Sequence, residues 1–389
     1  MSIAILYERS ETDEMGIKLT AQKLDIPLTF IPFRKIALSI SKNGFTAKTK
    51  GKNYTNAIKD TAVVLNRAQG KNRRLYAAYT MEVLGKKIIN PFPIEFVCHS
   101  KFRTLMHLWN VGLPIPKTVY VPCDPFETLK DGRILRNEAD IADLIRQEIG
   151  DEIVTKPDAG THGKAIALSK SREELIANIQ KINPSIINPV GIVGQEFIEK
   201  WFYDLRIIVY KEKSKEPVCH PVALARVGIK DFRTNTSLGN IVFDAKLPQH
   251  IRNIAVKCSK ALGGEHEAWV FGLDAMINVG KYKNVNNEIN AEVAKAAVAF
   301  ENVEKVKQHE SRLRDFKVWN TKLEAAVKNY MSIEPYAKVK DIIEENLEEN
   351  RLCIVFHEAN SCPDFWEHTR LIAGINVAVP LLKGAQSLI

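Results

Sequence analysis

The stretch Val154 to Lys164, VTKPDAGTHGK, has the composition of a phosphate cradle. Gly160 and Gly163 let backbone N–H groups approach phosphate oxygens, and Lys156 supplies a point charge. No GKS or GKT end leads into a helix, so this is not a Walker loop. Taken alone, a tight hairpin with surface lysines explains it equally well. Further on, Gly194-Gln195-Glu196-Phe197-Ile198-Glu199 ends an apolar run, and Asp204-Leu205-Arg206 follows. A strand end with free backbone groups suits a flat heterocycle, and a downstream carboxylate suits sugar hydroxyls. An ordinary strand and turn explains that pattern better when it stands alone. Arg226, the run Phe232-Arg233-Thr234-Asn235 and Gly239 make a third group. Its always-charged guanidinium forks are matched to anionic oxygens. A polar loop on a basic surface is the plain alternative. Last come Asp274 in GLDAMIN, and Glu358 and Asn360 in HEAN. Residues 358 and 360 share one face of a strand, because side chains alternate with period two. Such oxygens suit a hard divalent cation, magnesium before zinc. His357 and Cys362 lack a second pair at zinc spacing. Cys362 has no adjacent base, so it reads as a structural thiol.

These residues need a scaffold. Ile3–Tyr7, Leu28–Ile31, Thr61–Asn66 and Lys87–Asn90 read as short apolar strands alternating with helices, a parallel α/β pattern over residues 1–97. Pro91 and Pro93 punctuate its end. Helices are expected over Ser100–Asn110, Glu138–Ile149 and Ser171–Ile182, the last with a capping-box spacing from Ser171 to Glu174. A strand, the glycine loop and a second strand fill 152–168. Beyond Gly191 the chain reads as long strands: Gly194–Ile198, Leu205–Tyr210, Val218–Val227, Gly272–Val279 and Leu352–Ala359. The expected division is 1–97, 98–190 and 191–389. Residues 281–350, charged and poor in glycine, form a helical insertion in the last piece. Such a charge pattern reads first as a solvated decoration and second as a partner or oligomer contact. Arg67, Lys71, Arg73 and Arg74 follow a strand end, where an α/β domain places ligands. They read equally as an acidic-acceptor site or a solvated basic loop.

The chain has 389 residues, of which 45% are hydrophobic and 26% charged, ordinary globular composition for two or three domains. No run approaches the ~20 apolar residues of a membrane span, and six scattered cysteines without a CxxC pair suit a reducing, cytoplasmic setting. The net charge of +9 favours anionic partners without choosing among them. No RRM-, KH- or zinc-finger-like pattern marks a nucleic-acid reader.

The order of these elements resembles the ATP-grasp superfamily, in particular its RimK-like glutamate ligases and LysX-like lysine-biosynthesis ligases. The resemblance is carried by VLNRAQG with KKIINP, SKFRTLMHLWNVGLPIPKT, VTKPDAGTHGKAIAL, GQEFIEKWFYDLRIIVY, FRTN, GLDAMIN and HEANSCPDF, nearly the whole chain outside the insertion. It implies a three-domain α/β fold with ATP between the central and C-terminal pieces. It implies an ADP-forming ligase that joins a carboxylate to an amine through an acyl phosphate, with an amino acid such as glutamate as one substrate. The alternative on the same fold is a small-molecule phosphotransferase. By the resemblance, Lys101 and Lys156 contact ATP phosphates beside Gly160 and Gly163. Glu196 and Phe197 offer backbone groups to adenine, and Asp204 reaches the ribose. Arg233 and Asn235 lie at the transferred phosphate. Arg226 binds the substrate carboxylate or the acyl phosphate. Asp274, Glu358 and Asn360 hold Mg2+, with Mn2+ as a substitute. The partners implied are a small-molecule or acidic-peptide substrate, an acidic protein acceptor and a homo-oligomeric copy, with no membrane and no nucleic acid.

Two departures stand out. The insertion separates Asp274 from Glu358, which in the family sit on strands joined by a short turn. A long loop does not by itself hold its flanking strands apart in space, since closure entropy grows slowly with length. Asp364-Phe365-Trp366 replaces the family's glycine after the asparagine-serine-proline run, in a segment that lies near the substrate.

Overall fold

The computed structural model describes residues 2–9, 11–121, 130–133, 138–160, 163–182, 191–280, 287–309 and 312–389. Short β-branched runs buried on both faces build the first sheet. Its order is Leu28–Pro32, Ser2–Tyr7, Thr61–Arg67 and Lys87–Ile89, all parallel. The second sheet is antiparallel, in the order Thr118–Val121, Ile192–Glu196, Ile153–Pro157 and Ala167–Ser169. The third runs Ile241–Lys246, Val222–Val227, Tyr203–Lys211, Trp269–Ile277 and Ile354–Asn360, again antiparallel.

The expected boundary at 190/191 moves. Ile192–Glu196 pairs with Thr118–Val121 and Ile153–Pro157, so it belongs to the central sheet. The N-terminal piece packs against the end of the chain. The last helix, Ala378–Leu388, packs on Thr61–Arg67, Lys87–Ile89 and the helix Thr12–Lys23. Asn90 ties the end of the first sheet to the third: its amide donates to the Val270 and Ser361 carbonyls, both at 2.8 Å, and accepts from Val270 N–H at 2.9 Å.

The expectation of a solvated insertion is overturned. Three helices, Asn287–Lys307, Phe316–Met331 and Glu334–Glu349, lie across the third sheet. Phe300, Trp319, Leu323, Tyr330, Val339, Ile343 and Leu347 are buried in its core. Tyr330 Oη donates to the Val242 carbonyl at 3.0 Å, and Tyr336 Oη to Asp244 at 2.6 Å. Tyr203 Oη donates to Asn346 at 2.8 Å. Each helix buries one stripe and wets the other, so the charge run reports only the outer face. Among the described residues no helix is long and apolar enough to cross a membrane, and the cysteines are free thiols. Cys123 lies outside the described residues.

Leu323 of the insertion is fully buried in the core it shares with the third sheet. Leu323→Ala is expected to lower the unfolding free energy by about 2–5 kcal/mol, measured by urea denaturation. An unchanged midpoint would restore the insertion to a surface decoration.

Candidate functional site

The third sheet builds the site by register. Asp204 lies opposite Arg226, Arg206 opposite Asp274, and Asp274 opposite Glu358, a row of charge across four strands. A bulge after Asp274 leaves His357 as the extra residue: Asp274 faces Glu358, whereas Ala275 faces Phe356. Two carboxylates in direct opposition repel, and guanidinium groups neutralise them. Arg206 holds Asp274 through Nε and through Nη2, the latter at 3.0 Å. Arg226 Nη2 lies 3.4 Å from the same carboxylate. Asn360 Nδ2 donates to Asp274 at 3.3 Å. Burial opposes ionisation of Glu358, yet Lys101, Lys71 and Lys156 draw its carboxyl down to about 2. Glu358 is therefore charged at neutral pH.

The second sheet supplies the facing wall. Ser100 caps the helix Lys101–Asn110, and Asp158 binds that helix start: its carbonyl accepts from Lys101 N–H at 3.0 Å and its carboxylate from Phe102 N–H at 2.9 Å. The lysine is thereby locked against the glycine loop. Lys101 Nζ reaches the Gly160 carbonyl at 2.8 Å and Glu358 at 3.7 Å. Gly163 has φ +68°, and a Cβ there would sit 2.7 Å from Asn235 Oδ1. Glycine thus allows the loop to close onto the third sheet's arginine loop. Thr161 and His162 of this loop lie outside the described residues.

A cavity of about 540 Å³ joins these parts. Lys101, Gly160, Gly163, Arg226, Asn235, Asp274, Glu358 and Asn360, all expected at the site, line it. Lys156 is buried behind them; burial, with Lys101 adding to it, draws its ammonium down to about 8 against the pull of Glu358. Burial likewise draws Lys71 and Lys200 down to about 8.

Four of the expected site residues, Asp204, Arg233, Glu196 and Phe197, have protein partners in the structure. Asp204 faces Arg226, whose Nε and Nη2 reach its oxygens at 2.8 and 2.9 Å, and it also accepts from Thr234 Oγ1. Burial works against its charge, but Arg226 and Lys200 hold the carboxyl well below the usual range. Its partner in the structure is Arg226, which it holds in place. Arg233 is taken up by Asp231, with Nη2 at 2.6 Å, and does not line the cavity among the described residues. The N–H groups of Glu196 and Phe197 donate to the Lys117 and Glu152 carbonyls at 3.0 and 3.1 Å. Backbone contacts from that pair to a heterocycle are thus left to carbonyls.

Arg206 is a site residue that the motifs alone do not single out. Its one sequence signal is its place two residues after Asp204, on the same strand face. The basic loop is also not a solvated surface: Arg67 pairs with Asp13 at 2.7 Å, Arg74 with Glu95 at 2.8 Å and Arg73 with Glu8 at 2.6 Å.

At the far end of the cavity, beside Asp13, the lining is Asp364 and Phe365, with Trp366 behind them. Phe365 and Trp366 N–H donate to Asp13 at 3.2 and 2.8 Å. Burial pushes the Asp13 carboxyl up, and Arg67 offsets only a fraction of this. Trp366 lies so close to Gly16 that a Cβ there would come within 2.0 Å of the ring. Trp366 Nε1 donates to Asn320 of the insertion at 2.9 Å. Lys307 and Arg312 of the insertion line the same end.

The donor set fits magnesium in one way. Asp274, Glu358 and Asn360 offer hard oxygens, but among the described residues no group of three His, Cys, Asp or Glu can hold a metal. A magnesium ion held there would need further oxygens, such as those of phosphate or water, to complete its coordination.

Residues 127–307 match the family model of the RimK-like ATP-grasp domain. The chain is 25% identical over 246 residues to the alpha-aminoadipate–LysW ligase LysX of Saccharolobus solfataricus, covering 61% of this chain and 82% of that one. It is 30% identical over 186 residues to a probable alpha-L-glutamate ligase of Legionella pneumophila, covering 47% and 54%. Among solved structures, the fold is similar to that of the D-cycloserine synthetase DcsG, with a TM-score of 0.57 at 11% identity. It is similar too to the ATP-grasp ligase PsnB, at 0.52 and 11%. Both alignments cover 100% of each chain.

Lys71, Lys156 and Lys200 titrate near 8 and are partly neutral at pH 8.5. A bound polyanion raises such pKa values, so MgATP binding is expected to take up protons at pH 8.5 and far fewer at pH 6.5. Calorimetry in buffers of different ionisation enthalpy reads this directly. A buffer-independent enthalpy at pH 8.5 would contradict it.

Proposed function

This chain carries a RimK-like ATP-grasp domain, and we propose that it is an ATP- and magnesium-dependent ligase that joins a carboxylate to an amine, releasing ADP and phosphate. The observation that carries the proposal is Asp274 facing Glu358 under Lys101 and the glycine loop, with Arg206 and Arg226 behind. That is a place for a magnesium-bridged phosphate beside a second anion. A carboxylate is a poor electrophile until an oxygen becomes a good leaving group. MgATP supplies the phosphoryl group that makes it one, and the amine then displaces phosphate. The chain's own task is electrostatic: to neutralise phosphate and carboxylate together, and to orient them. Lys101 and Lys156 face the phosphates beside Gly160 and Gly163. Asp274, Glu358 and Asn360 would hold the magnesium. Asp204 positions Arg226, which binds the substrate carboxylate. Arg206 fixes Asp274. Asn235, packed on Gly163, helps close the cavity against water, which would otherwise hydrolyse the activated acid.

For the substrate we propose an amino acid such as glutamate, with an acidic peptide or protein terminus as the other partner. Arg9, Lys307 and Arg312 at the cavity's far end support an anionic acceptor. The names of the LysX and glutamate-ligase relatives point the same way.

ADP and phosphate release from MgATP, against a panel of amino acids and acidic peptides with mass analysis, tests the reaction. ADP that depends on a pair of substrates, with a product lighter than their sum by one water, is expected. A substrate that gains only a phosphate would make the protein a phosphotransferase instead. Glu358→Gln is expected to lower ligation by at least ~100-fold with the fold retained. Asp274→Asn is expected to do the same and to cost about 3–5 kcal/mol of stability, because Arg206 and Arg226 lose their partner. Wild-type turnover in both would sink the metal assignment.

A further inference from the structure

The functions above use cations from the second and third sheets, and they leave Lys71 unused. Lys71 is the first residue of the helix Lys71–Val83, just past the end of the first-sheet strand Thr61–Arg67. It lines the cavity beside Lys101 and Glu358. Its ammonium makes one long hydrogen bond, 3.4 Å to the His99 carbonyl, and forms no ion pair among the described residues. Lys101 differs in having both Gly160 and Glu358 within reach. Burial and the charge of Lys101 draw the Lys71 ammonium down to about 8, and Glu358 only partly offsets them. In return, Lys71 stands second only to Lys101 among the cations that draw Glu358 down.

A half-buried ammonium that faces a cavity with one long carbonyl contact is open to an anionic partner. Other groups near it do not compensate. Arg74 is committed to Glu95, and His99 contacts Asn72 and Arg103. An anionic oxygen brought by a ligand is the missing partner. Position narrows which anion this is. Lys71 comes from the first sheet, the side that also brings Asp13 and Arg67 to the cavity, and it lines the same cavity as Lys101 and the metal carboxylate Glu358. The group that passes between those two sides in the proposed reaction is the phosphoryl group in transit.

We infer that Lys71 is a catalytic residue of the phosphoryl-transfer step, binding the transferred phosphoryl group from the acceptor side while Lys101 holds it from the nucleotide side. The inference rests on the ligase reading above. In the step, the bond from the γ-phosphorus to the bridging oxygen breaks with its electron pair going to ADP, and a carboxylate oxygen forms the new bond to phosphorus. Lys71 transfers no proton. Its charge offsets the negative charge on the moving oxygens.

The test compares MgADP binding with and without aluminium fluoride, which mimics the transferring phosphoryl group, for wild type, Lys71→Met and Lys71→Arg. Wild type is expected to bind MgADP at least ~10-fold more tightly with the fluoride, as transition-state mimics do. Lys71→Met is expected to keep MgADP affinity within about twofold, which also reports an intact fold, and to lose the gain. Lys71→Arg is expected to recover some of it, because charge returns with altered geometry. A full gain in Lys71→Met would overturn the inference, as would wild type that binds MgADP without any gain. Wild type that binds no MgADP at all would instead overturn the nucleotide reading beneath it.

Discussion

Two carboxylates registered opposite each other, Asp274 and Glu358, set the terms for the rest of the site. Left alone they would repel across a strand pair in a buried setting, at a cost no sheet tolerates readily. The structure answers with Arg206 and Arg226 on one carboxylate and Lys101 on the other. It then goes further. Lys156 and Lys200 are buried close by, Lys71 is half-buried in the cavity wall, and loss of solvent draws all three ammonium groups toward neutrality. Lys71 and Lys156 have no carboxylate partner among the described residues. Under the proposed function, a cation-bridged polyphosphate would answer both problems at once, with Asp274 and Glu358 as ligands to the metal and the lysines as partners of the phosphates.

This constraint accounts for the architecture around it. The glycine loop must reach the third sheet, so Gly163 meets Asn235 with no room for a side chain. The first sheet must stay fixed to the third, so Asn90 stitches them and the C-terminal helix crosses back between them. Asp364-Phe365-Trp366 carries the departure from the family pattern and holds the far end of the cavity together. Asp13 gathers its backbone N–H groups, Gly16 makes room for the indole, and Asn320 receives the indole N–H. The insertion is thereby joined to the N-terminal helix through a single tryptophan. The cavity end that holds Lys101 and the glycine loop carries the motifs of the resemblance. The acceptor end is built from the insertion and from this replaced segment.

Much of this is legible in the sequence where a residue type has one physical use. The Ser171 cap is real, with its hydroxyl accepting from Glu174 N–H at 3.1 Å, and the helices after Ser100 and Glu138 begin as expected. The spacing of Glu358 and Asn360 puts them on one face, and Asp274 meets Glu358 despite the long segment between them. The single strand expected over Val218–Val227 is broken at His220 and Pro221, since proline cannot donate to the ladder. The strand Ile241–Lys246 and the helix Gln249–Gly263 are not among the expected elements. The insertion misleads because charge is a property of its outer face. Its inner stripe, Tyr336, Val339, Ile343 and Leu347, follows helical spacing and is the better guide. The roles of Arg206 and Lys71 and the partner of Asp204 are not legible. They come from cross-strand register and from packing between sheets, which local spacing does not encode.

The central claim is that phosphate leaves this site having been bonded to the substrate's own carboxylate oxygen. Running the reaction with that carboxylate labelled with oxygen-18 tests it most directly, by mass analysis of the released phosphate. The account predicts one labelled oxygen in each phosphate formed and unlabelled ADP. Label that stays out of the phosphate while an amide is still made would contradict it, because the carboxylate would then have been activated by another route.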